Sequence, residues 1–179
     1  MVEQLKQLMP DYAKDVKLNL SSVLTASADV SDNQIAAIAL SVAYATKSNV
    51  LIQFFAEFAS EKLDENAMIA AKSAATIMAM NNIYYRFVHL VNDEQYSKMP
   101  ANLRMNVMMN PGIDKKEFEL LCLAVSAVNG CGMCMESHTK MLEKVGVSKA
   151  SIQHTIRIAA VIHAAMQVLV IENHVEQVA

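Results

Sequence analysis

Tryptophan is absent from this chain, aromatic residues make up only 6% of it, there are three prolines, and the four glycines all fall at or after Gly112. With so few residues that demand tight turns, the stretch before Gly112 is expected to run as long helices. Nor does any segment show a convincing strand pattern, which removes a thioredoxin-like βαβ setting for the cysteines. A basic excess is missing too: 15 Lys and Arg stand against 18 Asp and Glu, for a net charge of −3, so there is no electrostatic footprint for nucleic acid. The start of the chain lacks a basic segment leading into an apolar one, so no secretory signal is expected. The most apolar run, residues 158–171, is short for a membrane span and contains His163 and Gln167. A cytoplasmic location with no membrane partner is the expectation. In that reducing compartment three cysteines do not make a structural disulfide framework, and a CxxC pair is read as catalytic or metal-binding.

What is present is apolar and helix-forming. Apolar residues make up 54% of the 179, with 13 methionines, an Ala/Met/Leu/Ile-rich mix that indicates an all-α fold in a single domain, residues 1–179. Residues 1–30 read as an arm or short helices, with a helix start at Pro10-Asp11 and packing contacts from Leu18, Leu20 and Val23. Ser31-Asp32-Asn33-Gln34 has capping-box form and opens a helix over residues 32–45; a second runs over residues 50–62. A third begins at Asp64 and reaches Val91, because Met68, Ala71, Ala75, Ile77, Met78, Ile83 and Phe87 recur at helical intervals. Residues 92–114 form a connector marked by Pro100 and Asn110-Pro111-Gly112, with a short helix near Arg104-Met105. Helices follow over residues 115–128 and 131–145, separated by Asn129-Gly130 and closed by Gly146, and Ser148 caps a last helix reaching about His174.

Two halves of this pattern repeat at an offset of 83 positions, Ala39-Leu40-Ser41-Val42-Ala43 against Cys122-Leu123-Ala124-Val125-Ser126. They span approximately residues 31–95 and 114–175. Ser48, Leu51 and Phe55 then stand where Cys131, Cys134 and His138 stand, so the first half is expected to be scaffold and the second to carry chemistry.

That chemistry centres on Cys131-Gly132-Met133-Cys134 and His138. At about 100° per residue these three side chains fall within about 60° of one another on a helix face. A cysteine of pKa near 8.5 is about 3% thiolate at neutral pH, and lowering it to about 6.5 raises that fraction roughly twentyfold. His138 and the helix N-terminus are placed to do so. The nearest acidic partner for His138 upstream is Glu119, a carboxylate inside an apolar run and costly to bury alone. The same four residues are a possible zinc ligand set, although structural zinc sites usually draw on a second Cys or His pair and none is evident. Cys122, between leucines, reads as a small buried hydrophobe, and Met68, Met78 and Met80 as packing residues. His89, His154, His163 and His174 read as core-edge or surface histidines.

The segment running from Glu119 through Ala124-Val125-Ser126-Ala127-Val128-Asn129-Gly130 to His138 resembles the active-site signature of the AhpD-like family in the carboxymuconolactone decarboxylase superfamily. Blocks elsewhere are similar to that family as well: residues 10–22, Met80-Asn81-Asn82-Ile83-Tyr84-Tyr85-Arg86, Leu103-Arg104-Met105-Asn106, Asn110-Pro111-Gly112-Ile113 and Val145-Gly146-Val147. The resemblance implies an AhpD-like helical fold with a duplicated core, a homotrimer, and an antioxidant alkyl hydroperoxide reductase. Its electrons would come from a dihydrolipoyl group on a lipoylated acyltransferase protein, with no bound cofactor and no metal, and it would be able to regenerate the peroxiredoxin AhpC. By the same resemblance Cys134 attacks the peroxide and becomes a sulfenic acid, Cys131 protonates the leaving alkoxide and closes the disulfide, and Glu119 and His138 relay the proton. Family members carry His immediately before the second cysteine where this chain has Met133, which implies a slower direct peroxidase. Two alternatives accompany this reading: a helical zinc-binding or interaction protein, and a γ-carboxymuconolactone-type decarboxylase, whose chemistry does not need a dithiol.

Overall fold

A computed structural model describes the backbone of residues 2–178 and the side chains of residues 2–172. Among the described residues there are nine α-helices and no strand: α1 Val2–Gln7, α2 Lys14–Val23, α3 Asp32–Thr46, α4 Asn49–Ser60, α5 Glu65–Val91, α6 Glu94–Lys98, α7 Lys115–Val128, α8 Gly132–Lys144 and α9 Lys149–Val178. Short 3-10 turns occur at Asp11–Ala13 and Asn106–Met108.

Local chemistry sets the ends. Ser31 Oγ accepts the Gln34 N–H at 3.3 Å while the Gln34 carboxamide accepts the Ser31 N–H at 2.9 Å, completing the capping box of α3. Asp64 Oδ1 accepts from Ala67 N–H at the start of α5, and Ser148 Oγ accepts from Ser151 N–H at the start of α9. Helices α7 and α8 both end in Schellman turns through a glycine of positive φ. Gly130 (φ 68°) donates to Ala127 O and Cys131 to Ser126 O; Gly146 (φ 82°) donates to Glu143 O and Val147 to Leu142 O.

Helices α3 and α7 form the centre. Every residue of 35–43 and of 118–126 is buried, and a helix that is apolar on all sides has to lie inside the molecule. Both pack against α5 and α9 and against each other; α3 also holds α4, α7 also holds α8, and α2 lies along α9. The starts of α3, α4 and α5 at residues 32, 49 and 65 parallel those of α7, α8 and α9 at 115, 132 and 149.

Several expectations need correction. Leu18 is exposed although Leu20 and Val23 are buried, because α2 turns only one face to α9. The helical period through Ile83 and Phe87 does carry α5 to Val91 as expected, with both side chains exposed. The 3-10 turn in the connector falls at Asn106–Met108, just beyond Arg104-Met105, and α6, capped by Asp93, interrupts the connector earlier. Helix α9 is long and apolar enough over Lys149–Glu172 to cross a membrane by length and composition, unlike the shorter apolar run within it; Ile158, Ala159, Ile162 and Ala165 are buried in the core.

Phe55 is fully buried on α4 with its ring edge-on to Phe54 and Phe58. Phe55→Ala is expected to cost about 3–5 kcal/mol, read as a lowered urea midpoint at unchanged slope.

Candidate active site

Because Gly130 reverses the chain within one residue, Cys131 is at once the residue that closes the α7 Schellman turn and the N-cap of α8. Its backbone is extended (φ −94°, ψ 93°), and its Sγ accepts the Cys134 N–H at 3.3 Å. In the first half Ser48 caps α4 in the same manner, with Oγ accepting from Leu51 N–H. The expected shared helical face is therefore corrected: Cys134 and His138 are helical, while Cys131 stands outside the first turn. Cys131 and Cys134 are joined by a disulfide, Cα to Cα 5.3 Å.

Helix α5 braces this turn. Arg86 Nη1 donates to Asn129 O at 2.7 Å, Asn129 Nδ2 donates to Asn82 Oδ1 at 2.9 Å, and Asn82 Nδ2 donates to Ser126 Oγ at 2.9 Å. Glu119 on α7 and His138 on α8 are both buried, and Glu119 Oε2 lies 2.6 Å from His138 Nδ1. A carboxylate in that place accepts Nδ1–H and leaves Nε2 as the nitrogen able to take a proton. Nε2 sits 3.4 Å from Met78 Sδ, which also accepts the Ser126 hydroxyl at 3.4 Å. Pairing resolves the cost of burying Glu119.

Next to the disulfide is a cavity of about 520 Å³, walled by Met78, Asn81, Tyr85, Met105, Met108 and Met133 and reached by Cys134 and His138. Cys131 does not line it. It is 0% exposed, whereas Cys134 is 6% exposed. The two sulfurs are thus chemically alike but differently placed.

The carboxymuconolactone decarboxylase family matches residues 94–171. A protein of Coxiella burnetii (strain RSA 493 / Nine Mile phase I) named alkyl hydroperoxide reductase AhpD is 57% identical over 175 residues, covering 97% of this chain and 99% of the relative. Proteins of the same name from Bradyrhizobium sp. (strain ORS 278) and Rhodospirillum centenum (strain ATCC 51521 / SW) are 50% and 49% identical, covering 91% and 94% of this chain and 90% of each relative. The chain belongs to the AhpD family.

In this AhpD-family chain all four residues singled out from the sequence, Glu119, Cys131, Cys134 and His138, gather at the junction of α7 and α8. Sequence reasoning missed Asn81, Asn82 and Arg86 as parts of the site and treated Met78 as packing alone. Two adjacent amides in an otherwise apolar helix were the signal available. The zinc reading is not favoured: the cysteines are bonded to each other, His138 to Glu119, and among the described residues no three His, Cys, Asp or Glu side chains gather to hold a metal. His154 is buried with its Nε2 2.9 Å from Val23 O, and His89 and His163 are exposed. His174 lies outside the residues whose side chains are described.

Cys122 is buried and not disulfide-bonded. Burial, reinforced by the Glu119 carboxylate, pushes its thiol well above the usual range. Because a raised pKa keeps the sulfur as thiol at mildly alkaline pH, the reduced protein is expected to release two equivalents of chromophore from a chromogenic disulfide at pH 8, as Cys134 attacks and Cys131 resolves. A third equivalent should appear only in guanidinium. Three fast equivalents in the native protein would contradict this placement.

Proposed function

We propose that this protein is an antioxidant, thiol-dependent alkyl hydroperoxide reductase cycling between the Cys131/Cys134 dithiol and its disulfide. The observation that carries the reading is the asymmetry of the pair: Cys134 meets a cavity wide enough for an organic hydroperoxide, and Cys131 is buried behind it. Membership of the AhpD family supports it further.

In the reaction His138, held by Glu119, takes the Cys134 proton; the two side chains are one helical turn apart and line the same cavity. The thiolate attacks the terminal peroxide oxygen, a sulfur–oxygen bond forms, and the oxygen–oxygen bond breaks. Sulfur is oxidised to sulfenic acid, and the departing alkoxide takes a proton from Cys131. Cys131 thiolate then displaces hydroxide from the sulfenic acid, the hydroxide takes the proton held by His138, and water leaves as the disulfide closes. Thiol–disulfide exchange with a dihydrolipoyl group restores the dithiol and leaves the donor as its cyclic disulfide. The donor is carried on a lipoylated acyltransferase protein and is a substrate, not a resident cofactor. The same dithiol regenerates the peroxiredoxin AhpC.

A homotrimer belongs to this reading, and the exposed apolar strip of Ile83, Phe87 and Leu90 on α5, spaced to form one helical face, offers a surface for contact between copies. A dithiol that must be reduced in each cycle suits the cytoplasm. The chain is read as two halves, residues 31–95 and 114–175, on the parallel helix starts and parallel N-caps at Ser48 and Cys131. Decarboxylation of a lactone acid leaves the dithiol without a task and is not favoured.

Turnover of cumene hydroperoxide with dihydrolipoamide is expected to vanish in Cys134→Ser, while Cys131→Ser still forms a sulfenic acid trapped by a dione reagent. Full activity in either variant would overturn the assignment. Glu119→Gln should slow sulfenic acid formation by about a hundredfold, the scale of a lost proton-transfer catalyst, measured by stopped flow on the reduced enzyme.

A further inference from the structure

Adjacent amides on α5 have opposite fates. Asn82 is satisfied at both ends, by Ser126 and Asn129, and helps hold the cysteine turn. Asn81, only 5% exposed, has an Oδ1 that is buried with no hydrogen-bond partner among the described residues. An unpaired buried acceptor is costly to keep, and buried polar groups in folded proteins are overwhelmingly paired. The residue that carries this unpaired group lines the cavity that Cys134 reaches. Met78 and Tyr85, three residues before and four after Asn81 on the same helix face, line that cavity with it, and Met105, Met108 and Met133 add further apolar wall. The thioethers and the ring offer surface to an alkyl chain but little to orient a polar end.

We propose that Asn81 positions the hydroperoxide, its Oδ1 accepting the O–H of the terminal peroxide oxygen while the alkyl chain lies along the methionine wall. This rests on the reductase reading above. Binding in this way requires a half-turn of the carboxamide about its last torsion, which exchanges Oδ1 with Nδ2 and brings the acceptor to the cavity side. The terminal oxygen keeps its hydrogen throughout: it passes from the hydroperoxide to the Cys134 sulfenic acid as an intact O–H, while the alkoxide leaves with the electron pair of the broken oxygen–oxygen bond. The hydrogen bond to Asn81 therefore survives the displacement and orients the attacked atom without having to break.

The test separates the two half-reactions of the intact protein in Asn81→Leu, which keeps the branched shape of the side chain and removes the polar group. Oxidation of the pre-reduced enzyme by cumene hydroperoxide, followed by stopped flow, is expected to slow about tenfold, the effect of one lost hydrogen bond. Reduction of the disulfide by dihydrolipoamide should stay within about twofold. Asn81→Ala is the second variant, judged on the ratio of the two rates, which does not depend on the folded fraction. An unchanged oxidation rate or equal slowing of both half-reactions would each overturn the role. A wild-type enzyme that no hydroperoxide oxidises would instead overturn the reductase reading itself.

Discussion

The reversal at Asn129 and Gly130 is the constraint on which the reactive chemistry depends. A helix end leaves backbone groups to be satisfied, and here a single residue serves two ends: the Cys131 N–H closes α7 on Ser126 O, and its sulfur caps α8 through Cys134 N–H. The left-handed backbone at Gly130 allows both, and most residues with a Cβ resist that conformation. Bracing by Asn82 and Arg86 from α5 ties the turn to a third helix, so the sulfurs are set by tertiary contacts as well as by local capping.

Around that turn the protein keeps its polar groups in connected pairs. Glu119 lies within a run of nine buried residues on α7, where a lone carboxylate would be strongly disfavoured, and His138 meets it from α8. Met78 joins the network from α5, its thioether facing both the His138 ring and the Ser126 hydroxyl. In the first half the positions of Glu119, Cys134 and His138 hold Ala36, Leu51 and Phe55, and all three are buried and apolar. Where α3 and α4 place packed apolar side chains, α7 and α8 place a carboxylate, a cysteine and an imidazole.

Much of the fold was legible because its signals are local. The Ser31 capping box, the Asp64 and Ser148 caps, the Asn129-Gly130 break and the Gly146 stop each depend on residues within one turn of one another, and each helix boundary fell close to its signal. Spacing was a poorer guide to burial, as the packing expected of Leu18 shows. Ile83, Phe87 and Leu18 keep a helical spacing but face solvent in this chain, because spacing places a residue on a face and cannot say whether a neighbouring helix covers it. Short α6 was hidden in a polar connector for the converse reason, having no apolar stripe to announce it.

The sequence by itself determined an all-helical chain, the position of its turns, and the set of Glu119, Cys131, Cys134 and His138, since composition, capping and close spacing are properties of neighbours along the chain. Only the tertiary structure decided which sulfur meets the cavity, that Met78 faces the His138 ring, and that Asn81 is left unpaired while Asn82 is satisfied. Those outcomes depend on how α5 packs across α7 and α8, through contacting residues more than forty positions apart, for which no local pattern of residues carries the register.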